Sequence, residues 1–329
     1  MITNVQQLFS ICLAASSLIA LLTACDANPH RKMVENAPFI SQTYTDDLNR
    51  EVTLQETPKT IVSLAPGITE ILYAIGAADL VIARSEACNY PEWVEDKPGI
   101  PLFPLLDRDS ALSFHPDLFL ASDETVSIEE SLFFEEFDQS IYFQTYDSFP
   151  DIYRNIRRIG VLTGKEQLAN HLADSLETIE KNIVAETFDE IKYSTVILIS
   201  IDPLVVAGGS SFMNEMITKA GGKNPFSEKL EKYPVVTEEE MVQANIEFII
   251  LPTRNAGGNM LSHLTSRYPR LAILPAVQLG QVFDHLPKDL TLRPGPRSIE
   301  GLALLTRALH ASIDTQVFFS DPSESETEW

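Results

Sequence analysis

Residues 58–77 read Pro58-Lys-Thr-Ile-Val-Ser-Leu-Ala-Pro-Gly-Ile-Thr-Glu-Ile-Leu-Tyr-Ala-Ile-Gly-Ala77. Thr60–Leu64 is a short apolar, β-branched run, and Ala65-Pro66-Gly67 breaks it. From Ile68 to Ile75 the apolar residues fall at helical spacing. A switch from a continuous buried run to a 3.6-residue period predicts strand, turn and helix. Working outward, Leu80–Ala83, Leu118–Ala121 and Ile141–Phe143 are further short apolar strands, some with helical segments between them. Strands separated by helices imply a parallel sheet covered on both faces.

A long helical region follows, from about Asp151 to Glu186. Ile152, Ile156 and Ile159 mark one face of its first part. Thr163-Gly-Lys-Glu166 reads as a break and restart, with Thr163 as N-cap and Glu166 closing a capping box. Leu168, Leu172, Leu176, Ile179 and Ile183 then continue at spacings of three and four. Such a helix is long enough to bridge two lobes. The second half repeats the α/β pattern: a strand at Ser194–Ile201, Gly208-Gly209, a helix near Phe212–Ala220, Gly221-Gly222, a helix after Thr237, a strand at Phe248–Leu251 and a closing helix from Arg297 to about Ile313. No internal repeat of short fixed period occurs. The expected fold is α/β, with two Rossmann-like lobes of mainly parallel sheet bridged by one long backbone α-helix. The expected divisions are an N-terminal lobe over 43–150, a helical linker with the backbone helix over 151–190, and a C-terminal lobe over 191–315.

The chain has 329 residues, ample for a self-sufficient core, and 44% hydrophobic with 22% charged residues is ordinary for a globular protein. Acids outnumber bases 47 to 24, a formal charge of −23 that repels phosphate backbones and argues against nucleic-acid binding. Residues 1–25 carry no Asp, Glu, Lys or Arg, and Leu8–Leu22 has the length of a signal h-region rather than of a membrane span. It runs into Leu22-Thr-Ala-Cys25, which resembles a bacterial lipobox, although the first Lys or Arg is Arg31. On this reading residues 1–25 are a lipoprotein signal, Cys25 carries the lipid, and the anchor is the protein's one attachment to a membrane. The alternative is a plain secretory signal with a chance cysteine. Cys12 leaves with the signal, so Cys88 remains alone and no internal disulfide is expected. Residues 26–42 read as a tether. The segment 316–329 reads as an acidic tail.

Catalytic signatures are missing. HExxH, CxxC, GxSxG, P-loop and GxGxxG patterns are all absent. Gly208-Gly-Ser-Ser211 lacks the nucleophile-elbow pattern and reads as a strand-to-helix turn. His30, His115, His171, His263, His285 and His310 show no i,i+4 or HxH spacing, so no metal site is expected. His285, in a loop-like stretch beside Asp284, is the histidine most suited to line a site. Asp107-Arg-Asp109 suits an acidic helix start better than a cation site.

Residues 58–77, together with Cys88-Asn-Tyr-Pro91, His115-Pro-Asp-Leu118 and Arg293-Pro-Gly-Pro-Arg297 before a helix, resemble the helical-backbone (class III) periplasmic substrate-binding proteins of ABC importers. The resemblance covers about residues 40–313 and is nearest to the cobalamin-binding members. It implies a periplasmic receptor, monomeric and free of catalysis and resident cofactor. Its largely preformed cleft would hold a corrinoid as cargo for the permease subunits of an inner-membrane importer. Carried over residue by residue, Ala65, Pro66, Gly67, Tyr90 and Phe103 face the cleft from the first lobe. Phe103 and Tyr233 stand where those relatives have tryptophans, whereas Ala87 and Ser122 replace two of their aromatics. The region 284–293, with His285 and Arg293, supplies polar groups. Loop packing is the alternative for Tyr90 and Phe103. Asp109 and Glu239 match the acids that dock to arginine pockets of the permease, and simple first-turn caps are the alternative there. A ferric siderophore or haem is the rival ligand. A periplasmic enzyme or assembly lipoprotein on the same scaffold is the rival class.

Overall fold

The computed structural model describes residues 41–251 and 260–315. The expected leader with Cys25, most of the tether and the acidic tail lie outside these residues. An antiparallel hairpin, β1 (Gln42–Thr45) and β2 (Glu51–Leu54), precedes the first lobe. The Asp46 carboxylate closes its turn, accepting from the Leu48 and Arg50 amides and the Arg50 guanidinium.

The first lobe runs β3 (Ile61–Ser63), α1 (Pro66–Ala74), β4 (Val81–Ser85), β5 (Gly99–Ile100), α2 (Arg108–Ser113), β6 (Leu118–Ser122), α3 (Ile128–Glu136) and β7 (Ile141–Gln144). Its sheet is wholly parallel in the order β5-β4-β3-β6-β7, with Ile61 paired to Val81 on one side and Leu118 on the other. α1 starts with Pro66, whose fixed φ suits a first turn, and buries Ile68, Ile71 and Leu72.

Two antiparallel helices follow, α4 (Phe149–Thr163) and α5 (Glu166–Glu186). At 21 residues α5 is about 31 Å long. The break between them differs from the expected capping box. Thr163 is buried in the last turn of α4 and its hydroxyl donates to the Ile159 carbonyl at 2.7 Å. Gly164, at φ +66°, makes the turn, and α5 starts after Lys165 with no side-chain cap. A left-handed glycine ends the first helix; the threonine is used up bonding backward.

The second lobe comprises β8 (Tyr193–Ser200), β9 (Val205–Val206), α6 (Phe212–Lys219), β10 (Gly222–Lys223), α7 (Glu238–Gln243), β11 (Phe248–Ile250), α8 (Met260–Arg267), α9 (Pro275–Gln278), β12 (Val282–Phe283), α10 (Lys288–Thr291) and α11 (Ser298–Leu309). The order is β10-β8-β11-β12, all parallel, with β9 antiparallel on β8.

Alternation along the strands sorts the core into three bodies. Val62, Phe119 and Phe143 pack on the outer face of the first sheet, and Val196, Leu198 and Ile249 on the outer face of the second. Their neighbours Ile61, Leu118, Ile197 and Ile250 point into one continuous apolar body that includes Ile156, Ile183, Met216 and Leu305 from α4, α5, α6 and α11. The lobes keep separate sheets, and the helices between them share one core. Phe149 and Phe212, 5.0 Å between ring centroids, and the Phe149 amide donating to Glu215 at 2.7 Å tie α4 to the second lobe. No helix among the described residues is long and apolar enough to cross a membrane.

Candidate functional site

The winding of the first sheet reverses between β3 and β6, and such a reversal opens a crevice beyond the carboxyl ends of the strands. A cavity of about 250 Å³ sits there. Ala65–Ile68 after β3 and Ser122, Glu124 and Thr125 after β6 wall it from the first lobe; Lys288 and Leu292–Pro294 wall it from the second. Larger surface hollows lie along α4 and α5, but neither meets the carboxyl ends of the parallel strands.

Bonds between the lobes flank the cavity on two sides. On one, the Pro66-Gly67 turn lies so close to Pro294 and Gly295 that a side chain on Gly67 would collide with the Pro294 carbonyl. Beside it Arg297 donates to Glu70 at 2.7 Å and stacks its guanidinium 3.8 Å over the Tyr90 ring. Burial pushes the Glu70 carboxyl up and Arg297 pulls it back down, leaving it above the usual carboxylate range. Arg293 donates to the Asn89 side-chain oxygen at 2.6 Å and to the Ala87 carbonyl at 3.2 Å, and Asn89 donates to Asp289. Burial holds Arg293 below the ordinary arginine value. Behind this wall Cys88 is fully buried, bonded to Thr69 and Ser85, with its thiol pKa raised by burial.

On the other side, the loop before α7 reaches across. Lys232 bonds Asp123 at 2.5 Å and Asp147 at 2.6 Å, with Glu124 at 3.4 Å, and the Tyr233 hydroxyl donates to Glu124 at 2.9 Å. Burial raises the carboxyls of Asp123 and Glu124. It works to lower Lys232, but the bonds to Asp123 and Asp147 outweigh it and hold the ammonium above the ordinary lysine value. These bridges draw the lobes together. The cavity is therefore below the roughly 300–1,000 Å³ usual for small-molecule sites. A macrocycle held here would extend past this cavity into the open space between the lobes.

A strand-end cleft between two parallel-sheet lobes joined by helices is the geometry to set beside known proteins. The sequence profile of the family described as periplasmic binding protein matches residues 61–290. The chain belongs to that family. Among curated relatives, the ABC transporter substrate-binding lipoprotein YvrC of Bacillus subtilis, itself uncharacterised, is 29% identical over 308 residues, 90% of this chain and 96% of that one. A vitamin B12-binding protein of Vibrio vulnificus is 27% identical over 250 residues, 75% of this chain and 89% of its own. The Vibrio cholerae periplasmic vitamin B12 binding protein BtuF superposes with a TM-score of 0.69 at 21% identity, covering 80% of this chain and 99% of that one. The periplasmic heme-binding protein RhuT of Roseiflexus sp. RS-1 gives 0.69 at 22% identity, covering 77% and 98%. The fold is that of the class III solute-binding proteins, and the family places the chain among extracytoplasmic substrate-binding proteins of ABC importers.

In this periplasmic binding protein the residues singled out from the sequence are not all gathered in one place. Ala65, Pro66, Gly67 and Arg293 share the cavity wall. Tyr233 reaches its edge through Glu124, and Tyr90 lies under Arg297, away from the wall. Phe103 is 90% exposed and His285 is exposed against Phe283; neither lines the cavity. Asp109 and Glu239 each occupy the second position of a helix, α2 and α7, and both are exposed. Asp107 caps α2 by accepting from the Ser110 amide, which gives the acidic helix start its structural role. Sequence reasoning missed Asp123, Glu124, Asp147 and Lys232. The signal available for the acids was position: Asp123 and Glu124 directly after β6 and Asp147 three residues past β7, at strand ends where an open α/β sheet binds ligands.

Proposed function

We propose that this chain is the lipid-anchored periplasmic receptor of an ABC importer that carries a corrinoid to its permease, as a monomer and without chemistry. The observation that carries the reading is a cleft walled by both lobes at a topological switch point. The 27% relative named for vitamin B12 binding supports the corrinoid. Ala65–Ile68 offer backbone and apolar surface to a flat ring, while Lys288 and Arg293 can bond peripheral amides. The corrinoid is cargo, and no resident cofactor is proposed. Tyr90, Phe103 and His285 would reach a ligand only if it extends past the present cavity. Asp109 and Glu239 are the proposed contacts to the permease.

The same two cations favour a second reading, a carboxylate-bearing haem or a ferric siderophore. Titration of residues 26–329 with cyanocobalamin, haem and ferric hydroxamates, followed by calorimetry and visible absorbance, separates the readings. Saturable one-to-one binding of cyanocobalamin is expected. Binding of haem or hydroxamate with none of the corrinoid overturns the first reading in favour of the second.

A further inference from the structure

The two sides of the cavity are held differently. On the Gly67 side the contact is backbone against backbone, continued by the pair of buried Glu70, on α1, and half-buried Arg297, at the N-cap of α11, and both helices belong to the shared core. On the opposite side the lobes meet through a loop, by one ammonium and one phenol hydroxyl. Asp123, Glu124 and Asp147 all belong to the first lobe, and their carboxylate oxygens lie within 4.8 Å of one another. Three like charges at that spacing repel, and partial burial makes those of Asp123 and Glu124 costlier, while Asp147 is exposed. Lys232 is the cation that meets all three, and it comes from the second lobe. Partial compensation of the acids' charge and approach of the lobes are therefore a single event.

We propose that Lys232 is an inter-lobe latch that sets the width of the cleft, and thereby the size of ligand admitted, by docking on Asp123, Glu124 and Asp147. With the Gly67–Pro294 contact as fulcrum, releasing the ammonium lets the cleft widen at the Lys232 side. Glu124 is both a latch partner and part of the cavity wall, so a ligand larger than the gap must displace the latch as it enters. Tyr233 holds the same loop through Glu124 and follows the lysine. This proposal rests on the cleft being the ligand site, but its test reads the lobes directly.

Nitroxide labels at exposed Glu129 on α3 and Ser266 on α8 report the lobe separation by pulsed electron resonance. In the chain from residue 26 onward, the fully buried thiol of Cys88 stays unlabelled. Without added ligand, Lys232→Met should lengthen and broaden the inter-label distance. Lys232→Arg should preserve it, and Asp123→Asn with Asp147→Asn should reproduce the methionine variant, far-UV circular dichroism staying native throughout. Association of cyanocobalamin should accelerate about tenfold in Lys232→Met, the loss of a charge-assisted bond from the opening step. A distance distribution unchanged in both the lysine-to-methionine and the double asparagine variants overturns the latch. Absence of corrinoid binding in every variant overturns the ligand assignment and leaves the distance result to decide the latch.

Discussion

Gly67 has no side chain, and the path a Cβ would take runs into the carbonyl oxygen of Pro294 in the other lobe. Two effects of alanine compete there. In the first turn of α1, alanine gains up to about 1 kcal/mol over glycine in helix preference. Overpacking against backbone, which cannot swing aside as a long side chain can, costs roughly 1–3 kcal/mol. Overpacking wins, so Gly67→Ala should lower stability by about 1–2 kcal/mol in urea denaturation. A midpoint equal to or above the wild type's would mean that the lobes part freely at this point, and the fulcrum would go with it. The Pro66-Gly67 turn was legible because a proline and a glycine directly after an apolar run have few other uses. What the glycine makes room for was not. Pro294 is more than 220 residues away, and no local pattern records a tertiary approach.

Single helices and strands followed their local chemistry closely where the period was clean. Residues 60–64, 118–121, 141–143 and 248–251 read as strands, and each contains or overlaps an observed strand, because a buried parallel strand leaves a continuous apolar run. Thr163 failed as a cap because two punctuation marks, threonine and glycine, stood side by side and the glycine decided the break. The helix after Thr237 succeeded, and its cap is reciprocal: Thr237 accepts from the Glu240 amide while Glu240 accepts from the Thr237 amide at 2.7 Å. The bond from Lys229, then those from the Thr237 amide and hydroxyl, hold the Glu240 carboxyl down at about 2, against an ordinary 4.5. A depressed acid favours the folded state above its ordinary value, and that contribution disappears as pH falls from about 4.5 towards 2. The side chain is 38% exposed, so solvent screening keeps the whole effect below about 1 kcal/mol. Glu240→Gln retains an acceptor for the capping box and removes only the charge. Its melting temperature should sit about 1–3 °C below the wild type's at pH 7 and converge on it near pH 2. A gap of constant size across that range would assign the loss to geometry instead of charge.

For the molecule as a whole, the shared core around α4, α5 and α11 limits how far the lobes can swing, and the bridges beside the cavity set where they rest. Asp109 and Glu239 ride on different lobes, so their spacing is a readout of lobe position. Nothing in either helix demands an acid at these sites. Asp107 already caps α2, and Thr237 with Glu240 already caps α7. Exposed carboxylates that cap nothing, Glu239 accepting only a long 3.4 Å bond from the Gln243 side chain, can meet arginines on a permease, where such pairs set orientation and encounter rate. Each exposed pair is worth about 1 kcal/mol, roughly fivefold in affinity. Sites on separate lobes share no partner, so their effects should add. Asp109→Ala and Glu239→Ala should each weaken receptor capture by the permease about fivefold, and the double variant roughly 25-fold, with ligand affinity unchanged. Capture measured on permease reconstituted in nanodiscs, beside ligand titration of the free receptor, checks both halves. Full capture by the double variant would make the two acids plain surface charge, whereas a parallel fall in ligand affinity would place them in the cleft's own energetics and not at a docking face.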